Sequence, residues 1–139
     1  MQKKNSRGFT LIEIMLVITI IGILAAVVLP RLTGRTEEAR INSTKLQIEN
    51  LCLAFDTYEL DNGRYPSTDE GINSLRTAPS NTRNWKGPYL KKDIKNDPWG
   101  NPYIYRYPGT HSKDFDLFSY GTNGVEGGND DISNWENKQ

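Results

Sequence analysis

A chain of 139 residues, of which about thirty form a basic leader and an apolar run, has room for one small domain. Lys plus Arg and Asp plus Glu number 17 each, and the basic residues are scattered without interleaved aromatics, so the charge pattern of nucleic-acid binding is absent. The single cysteine, Cys52, excludes an internal disulfide, and among Leu51, Leu53 and Phe55 it reads as a small buried apolar residue.

Lys3, Lys4 and Arg7 make a short basic leader. From Phe9 to Leu29 the only ionisable group is Glu13. As helix this run measures about 30 Å, the thickness of a bilayer core. The leader's charge places it on the cytoplasmic side and the polar remainder across the membrane. Two readings stand here: a retained anchor, or a secretory signal cut near Ala25-Ala26. The run continues past those alanines through Val27, Val28 and Leu29, which favours the anchor. Glu13 is the sharper problem, because a charge near the hydrocarbon centre costs about 2.5–3.5 kcal/mol. An anchor alone would do better without it.

Pro30 lacks an amide hydrogen and predicts a kink, with Gly22 and Gly34 weakening the helix on either side. The helix then resumes amphipathically, with Ile41, Ile48, Leu51, Cys52, Phe55 and Tyr58 at three- and four-residue steps. It stops at Asp61-Asn62-Gly63, so that Phe9 to Leu60 would measure about 78 Å. Ser67-Thr68-Asp69-Glu70 is a capping-box pattern that predicts a short helix through about Thr77. Asp97-Pro98-Trp99-Gly100-Asn101-Pro102 is a turn. Tyr103 to Tyr107 and Asp114 to Ser119 read as two strands across a Pro-Gly loop. The tail from Tyr120 to Asn134 is rich in glycine and carboxylates. The fold class is α+β, a long helix packed on a small antiparallel sheet.

Gly8-Phe9-Thr10-Leu11-Ile12-Glu13, behind its basic leader, resembles the class III signal of type IV pilins and type II secretion pseudopilins. The resemblance implies that a prepilin peptidase cuts between Gly8 and Phe9 and methylates the new amino terminus. The implied organisation is a cleaved leader (1–8), a transmembrane and assembly helix (9–29) and a periplasmic globular domain (30–139). Glu13 then gains a use. When apolar helices of neighbouring subunits stack, it can lie beside the Phe9 amine of the next copy, and such a pair sets register more than it adds stability. Glu13 and Pro30 are the assembly positions of this reading.

Asp61-Asn62-Gly63-Arg64-Tyr65-Pro66, Asp97 to Tyr103, Phe118-Ser119-Tyr120-Gly121 and Asn129 to Trp135 narrow the resemblance to the major pseudopilin of type II secretion systems. It implies a type IV pilin-like fold and a structural, non-enzymatic role. Such a subunit polymerises from the bacterial inner membrane into a periplasmic filament that drives export of folded proteins across the outer membrane. The implied partners are further copies of the chain, minor pseudopilins, the prepilin peptidase and the inner-membrane assembly platform, with no nucleic acid. A minor pseudopilin, or a type IV pilin serving motility, adhesion or DNA uptake, is the alternative; major type IV pilins usually carry a carboxyl-terminal disulfide, which one cysteine cannot make.

The tail YGTNGVEGGNDDISNW gathers oxygen donors among glycines that let carbonyls turn inward. Calcium takes six to eight such oxygens, although the spacing is not that of an EF-hand. On composition alone a solvated tail is the other reading. The resemblance implies calcium in place of the disulfide. It carries the ligand positions onto the side chains of Asn123, Asp130 and Asp131 and the carbonyls of Tyr120, Val125 and Gly128. Asn123 stands where the family commonly has Asp, so one negative charge is missing. His111, the only histidine, reads as a solvated loop residue. Asp114 and Asp116 would share one face of a regular strand, and a carboxylate pair there is the basis of a third reading, a membrane-tethered hydrolase.

Overall fold

A computed structural model describes residues 8–135, apart from the side chains of residues 28–34. Helix α1 runs from Leu11 to Asn62. Contacts divide the chain into two units, Met1–Glu38 and Ala39–Gln139.

Among the described residues of the first unit the large apolar side chains are all exposed. Their exposures run from 49% at Ile20 to 85% at Phe9. From Leu11 to Val27 these side chains cover about 25 Å of helix, and among the described residues no helix is long and apolar enough to cross a membrane. Residues 1–7 of the leader lie outside the described residues. Backbone helix continues through position 30, whose side chain, with the predicted kink, also lies outside them.

In the second unit α1 buries one face. Thr44, Ile48, Leu51, Phe55 and Tyr58, spaced by four, three, four and three residues, are all inside, with Ala54 beside them. Thr44 is a polar member that the apolar periodicity does not predict; its hydroxyl donates to the Arg40 carbonyl at 3.0 Å, which removes the penalty of burying it. Cys52 is half-buried against the same core, and burial pushes its thiol up to about 11, so it packs as an apolar residue. The Phe55 ring stacks on Tyr105 at 4.3 Å and meets Phe115 at 5.1 Å. Burying such side chains contributes about 1.5–3 kcal/mol each. Gly63, at φ 73°, ends the helix by donating its N–H to the Glu59 carbonyl at 2.7 Å.

The predicted capping box forms. Ser67 N–H donates to Glu70 Oε2 at 2.8 Å and Glu70 N–H to Ser67 Oγ at 3.2 Å. The predicted helix does not continue from it. Gly71 leaves the helical region (φ 55°, ψ −162°), and only a 3-10 turn, Ile72–Leu75, comes after.

The sheet has the order β1-β2-β3, antiparallel throughout. β1 (Ile104–Arg106) and β2 (Asp116–Ser119) are the two predicted strands, shortened, with Tyr105 opposite Leu117. β3 (Ile132–Ser133) lies in the stretch predicted as tail. It pairs with the end of β2, and Asn134 prolongs the pairing. Its side chain accepts from Leu117 N–H and donates to the Phe115 carbonyl, both at 2.9 Å.

Candidate functional site

Two places carry the predicted site residues. The first is the start of α1. Gly8 and Phe9 precede the helix and are exposed. Glu13 closes a second capping box: its carboxylate accepts from Thr10 N–H at 2.8 Å and Thr10 Oγ1 at 3.1 Å. In return Glu13 N–H lies 3.4 Å from Thr10 Oγ1. Thr-x-x-Glu before an apolar run is a legible signal of this kind, which the pilin-like reading of the same residues masks. Within one subunit the carboxylate therefore already has a partner.

The second place is the loop between β2 and β3, residues 120–131. Asp97 fixes its near end, accepting from Ser119 Oγ at 2.6 Å while Ser119 Oγ accepts from Gly121 N–H at 3.1 Å. Across the loop, Asp130 accepts from Asn123 twice, from its N–H at 2.8 Å and from its amide nitrogen at 2.6 Å. Asn123 Oδ1 accepts from Val125 N–H at 2.8 Å, and Asp131 Oδ2 accepts from Gly127 N–H at 2.7 Å. Two glycines permit this closure. A Cβ on Gly121 would lie 2.1 Å from the Asp130 carbonyl, and one on Gly128 would lie 2.7 Å from the Asn123 amide nitrogen. Asn123, Gly128 and Asp130 are thus brought together, with Val125 tied to Asn123 and Asp131 tied to Gly127 by single bonds. Tyr120 stands at the loop's mouth, its ring edge-on to Phe118 at 5.8 Å.

The donor set is two carboxylates, one side-chain amide and main-chain carbonyls, all oxygen, as a hard cation requires. Among the described residues no three His, Cys, Asp or Glu side chains form a metal cluster. The amide nitrogen of Asn123 faces Asp130, so Asn123 would have to turn its Oδ1 inward to act as a ligand.

The hydrolase reading does not survive. Asp114 is exposed and lies before β2, so the two carboxylates share no strand face. Asp116 is fully buried and accepts from Thr110 N–H (2.9 Å), Thr110 Oγ1 (2.8 Å) and Ser112 N–H (2.8 Å). His111 adds its N–H at 3.1 Å and its Nδ1 at 3.0 Å. His111, predicted as merely solvated, also stacks on Trp135 at 4.5 Å with planes 9° apart. These residues hold a loop together.

Comparison with known proteins shows the family. The family model for type II secretion system protein G matches residues 31–135, and the prokaryotic N-terminal methylation motif matches residues 3–29. The chain is similar to the type II secretion system core protein G of Pseudomonas aeruginosa, at 48% identity over 99% of this chain and 100% of that one. It is similar to that of Aeromonas hydrophila at 45%, over 99% and 98%. Among solved structures it resembles the major pseudopilin of the type 2 secretion system of enterohaemorrhagic Escherichia coli, with a TM-score of 0.66 and 35% identity over 78% of this chain and 94% of that one. These relatives are named as protein G and major pseudopilin, which does not favour a minor pseudopilin or type IV pilin. The chain belongs to the type II secretion system protein G family, that of the major pseudopilin.

Proposed function

We propose that this subunit is cut between Gly8 and Phe9 by a prepilin peptidase, is methylated on Phe9, and sits in the bacterial inner membrane by a single pass with its carboxyl-terminal domain in the periplasm. From there it polymerises on an inner-membrane assembly platform, with minor pseudopilins, into a filament that drives folded proteins across the outer membrane. The observation carrying this reading is the amino-terminal helix, apolar and exposed on every side, with one carboxylate four residues from the new terminus at Phe9. The role is structural and assigns no residue to catalysis. The mass of the mature chain is the test. A terminus at N-methylated Phe9 is the expected result, and one near Ala26 or Val27 would remove both the processing and the filament.

Calcium in the 120–131 loop belongs to the same proposal, with Asn123, Asp130 and Asp131 as side-chain ligands and Tyr120, Val125 and Gly128 as carbonyl ligands. The ion would supply charge that fastens the loop, the work a disulfide does elsewhere. At a hundredfold excess over Kd a ligand of the folded state stabilises it by about 2.7 kcal/mol. For about 100 residues that raises Tm by about 10–20 °C. Chelation of the full chain in detergent is therefore expected to lower Tm by that much, and Asp131→Ala to lower it with calcium present. Asn123→Asp should widen the gap from both ends. It adds a charged ligand when calcium is bound, and without calcium it replaces the bond to Asp130 by repulsion between two carboxylates. Equal melting of wild type with calcium and with chelator would rule the site out.

A further inference from the structure

Residues 122–129 are exposed with the exception of half-buried Gly124, so little packing holds the loop over the sheet. A charged pair crosses from the sheet to the loop's tip. Arg106, in β1, donates through Nη1 to Glu126 Oε1 and through Nη2 to Oε2, both at 2.7 Å. Its guanidinium lies 5.1 Å over the Phe118 ring, and Phe118 in turn packs against Trp135 at 5.5 Å. Stacking restricts the guanidinium, and its planar fork orients a carboxylate as a lysine cannot. Glu126 stands between Val125, whose N–H donates to Asn123 Oδ1, and Gly127, whose N–H donates to Asp131 Oδ2. Fixing Glu126 therefore fixes the two neighbours that orient side chains of the candidate site.

We infer that Arg106 and Glu126 form a latch that positions the 120–131 loop to take calcium, neither of them being a ligand. The metal in this inference rests on the calcium reading above; the latch itself does not.

Position and charge make opposite demands on Arg106. Removing a cation from beside a calcium site tightens binding by simple attraction, whereas removing a latch loosens it. Calcium titration of the full chain in detergent separates the two. Arg106→Gln and Glu126→Gln are both expected to raise Kd, each by about threefold to fivefold at low ionic strength, and by less in high salt. Arg106→Lys, which keeps the charge and loses the fork, should weaken binding nearly as much. The reversed pair, Arg106→Glu with Glu126→Arg, should recover part of the affinity. Tighter binding by Arg106→Gln together with weaker binding by Glu126→Gln would overturn the latch and leave Glu126 as a plain charge or a ligand. Hydrogen exchange at residues 122–129 in chelator supplies the readout that needs no metal: several-fold faster exchange in Arg106→Gln is expected, and unchanged exchange would overturn the latch. If wild type binds no calcium while the variant still exchanges faster, the calcium half fails and the latch stands.

Discussion

Glu13→Val is expected to abolish filament formation while improving membrane insertion of the single subunit. Insertion improves because a charge costing about 2.5–3.5 kcal/mol leaves the apolar run. Assembly fails because the amine on Phe9 of the neighbouring copy loses its counter-charge as the helices pack. The capping box gives Glu13 a second role. It also closes the start of α1 through Thr10 N–H at 2.8 Å, and loss of a helix cap by itself costs about 1 kcal/mol. Glu13→Gln separates the two roles, since Gln serves at this capping position as Glu does but carries no charge. If the charge pair sets register, Glu13→Gln should yield at least about tenfold fewer filaments by electron microscopy, with export impaired in step, although its helix is intact. Wild-type filament yield from Glu13→Gln would show that the cap suffices and that no charge is exchanged between subunits.

The parts of this fold that are periodic or local are legible in the sequence. Ile48, Leu51, Phe55 and Tyr58 announce the buried face of α1 by spacing alone, and all four are inside. Ser67 and Glu70 announce their mutual bonds. The helix predicted beyond Glu70 fails on one glycine. Gly71 decides whether the turn continues as helix, and a Ser-x-x-Glu pattern is blind to the next residue along. β3 escapes because Ile132 is the one apolar residue among Asp130, Asp131, Ser133 and Asn134, too little for a strand pattern, and Asn134 completes the pairing with a side chain. The candidate loop is legible because its donors are contiguous, and Asn123 and Asp130 bond to each other directly within it. Arg106 and Glu126 are twenty residues apart and meet only once the sheet exists. The role of Asp116 is hidden for a related reason: its partners are mostly main-chain N–H groups, which no residue type advertises.

Asp116→Ala is expected to destabilise the domain by about 3 kcal/mol, because several hydrogen bonds to a charged group, each contributing about 1.5–3 kcal/mol, are lost while water can reach part of the freed donors. The N–H groups of Thr110, His111 and Ser112 would all lose their acceptor at once. Asp116→Asn is expected to be milder at neutral pH, because it keeps one acceptor oxygen while turning a donor toward other donors. Acid distinguishes the carboxylate from a merely well-packed side chain. Burial pushes the Asp116 carboxyl up, but bonds from Ser112 N–H, from the Thr110 hydroxyl and N–H, and from His111 outweigh it and hold the group well below the usual carboxylate range. A folded-state value lower than the unfolded one contributes stability that is complete above about pH 5 and is lost as pH falls through the unfolded value near 3.9 toward the folded one. Wild type should therefore lose this contribution on acidification, and Asp116→Asn has none to lose. Urea unfolding at pH 5 and pH 3 is expected to show the gap between the two proteins clearly narrower at pH 3. A gap of the same size at both values would mean that the charge on Asp116 is not what binds the Thr110–Ser112 turn, and that packing holds the hairpin instead.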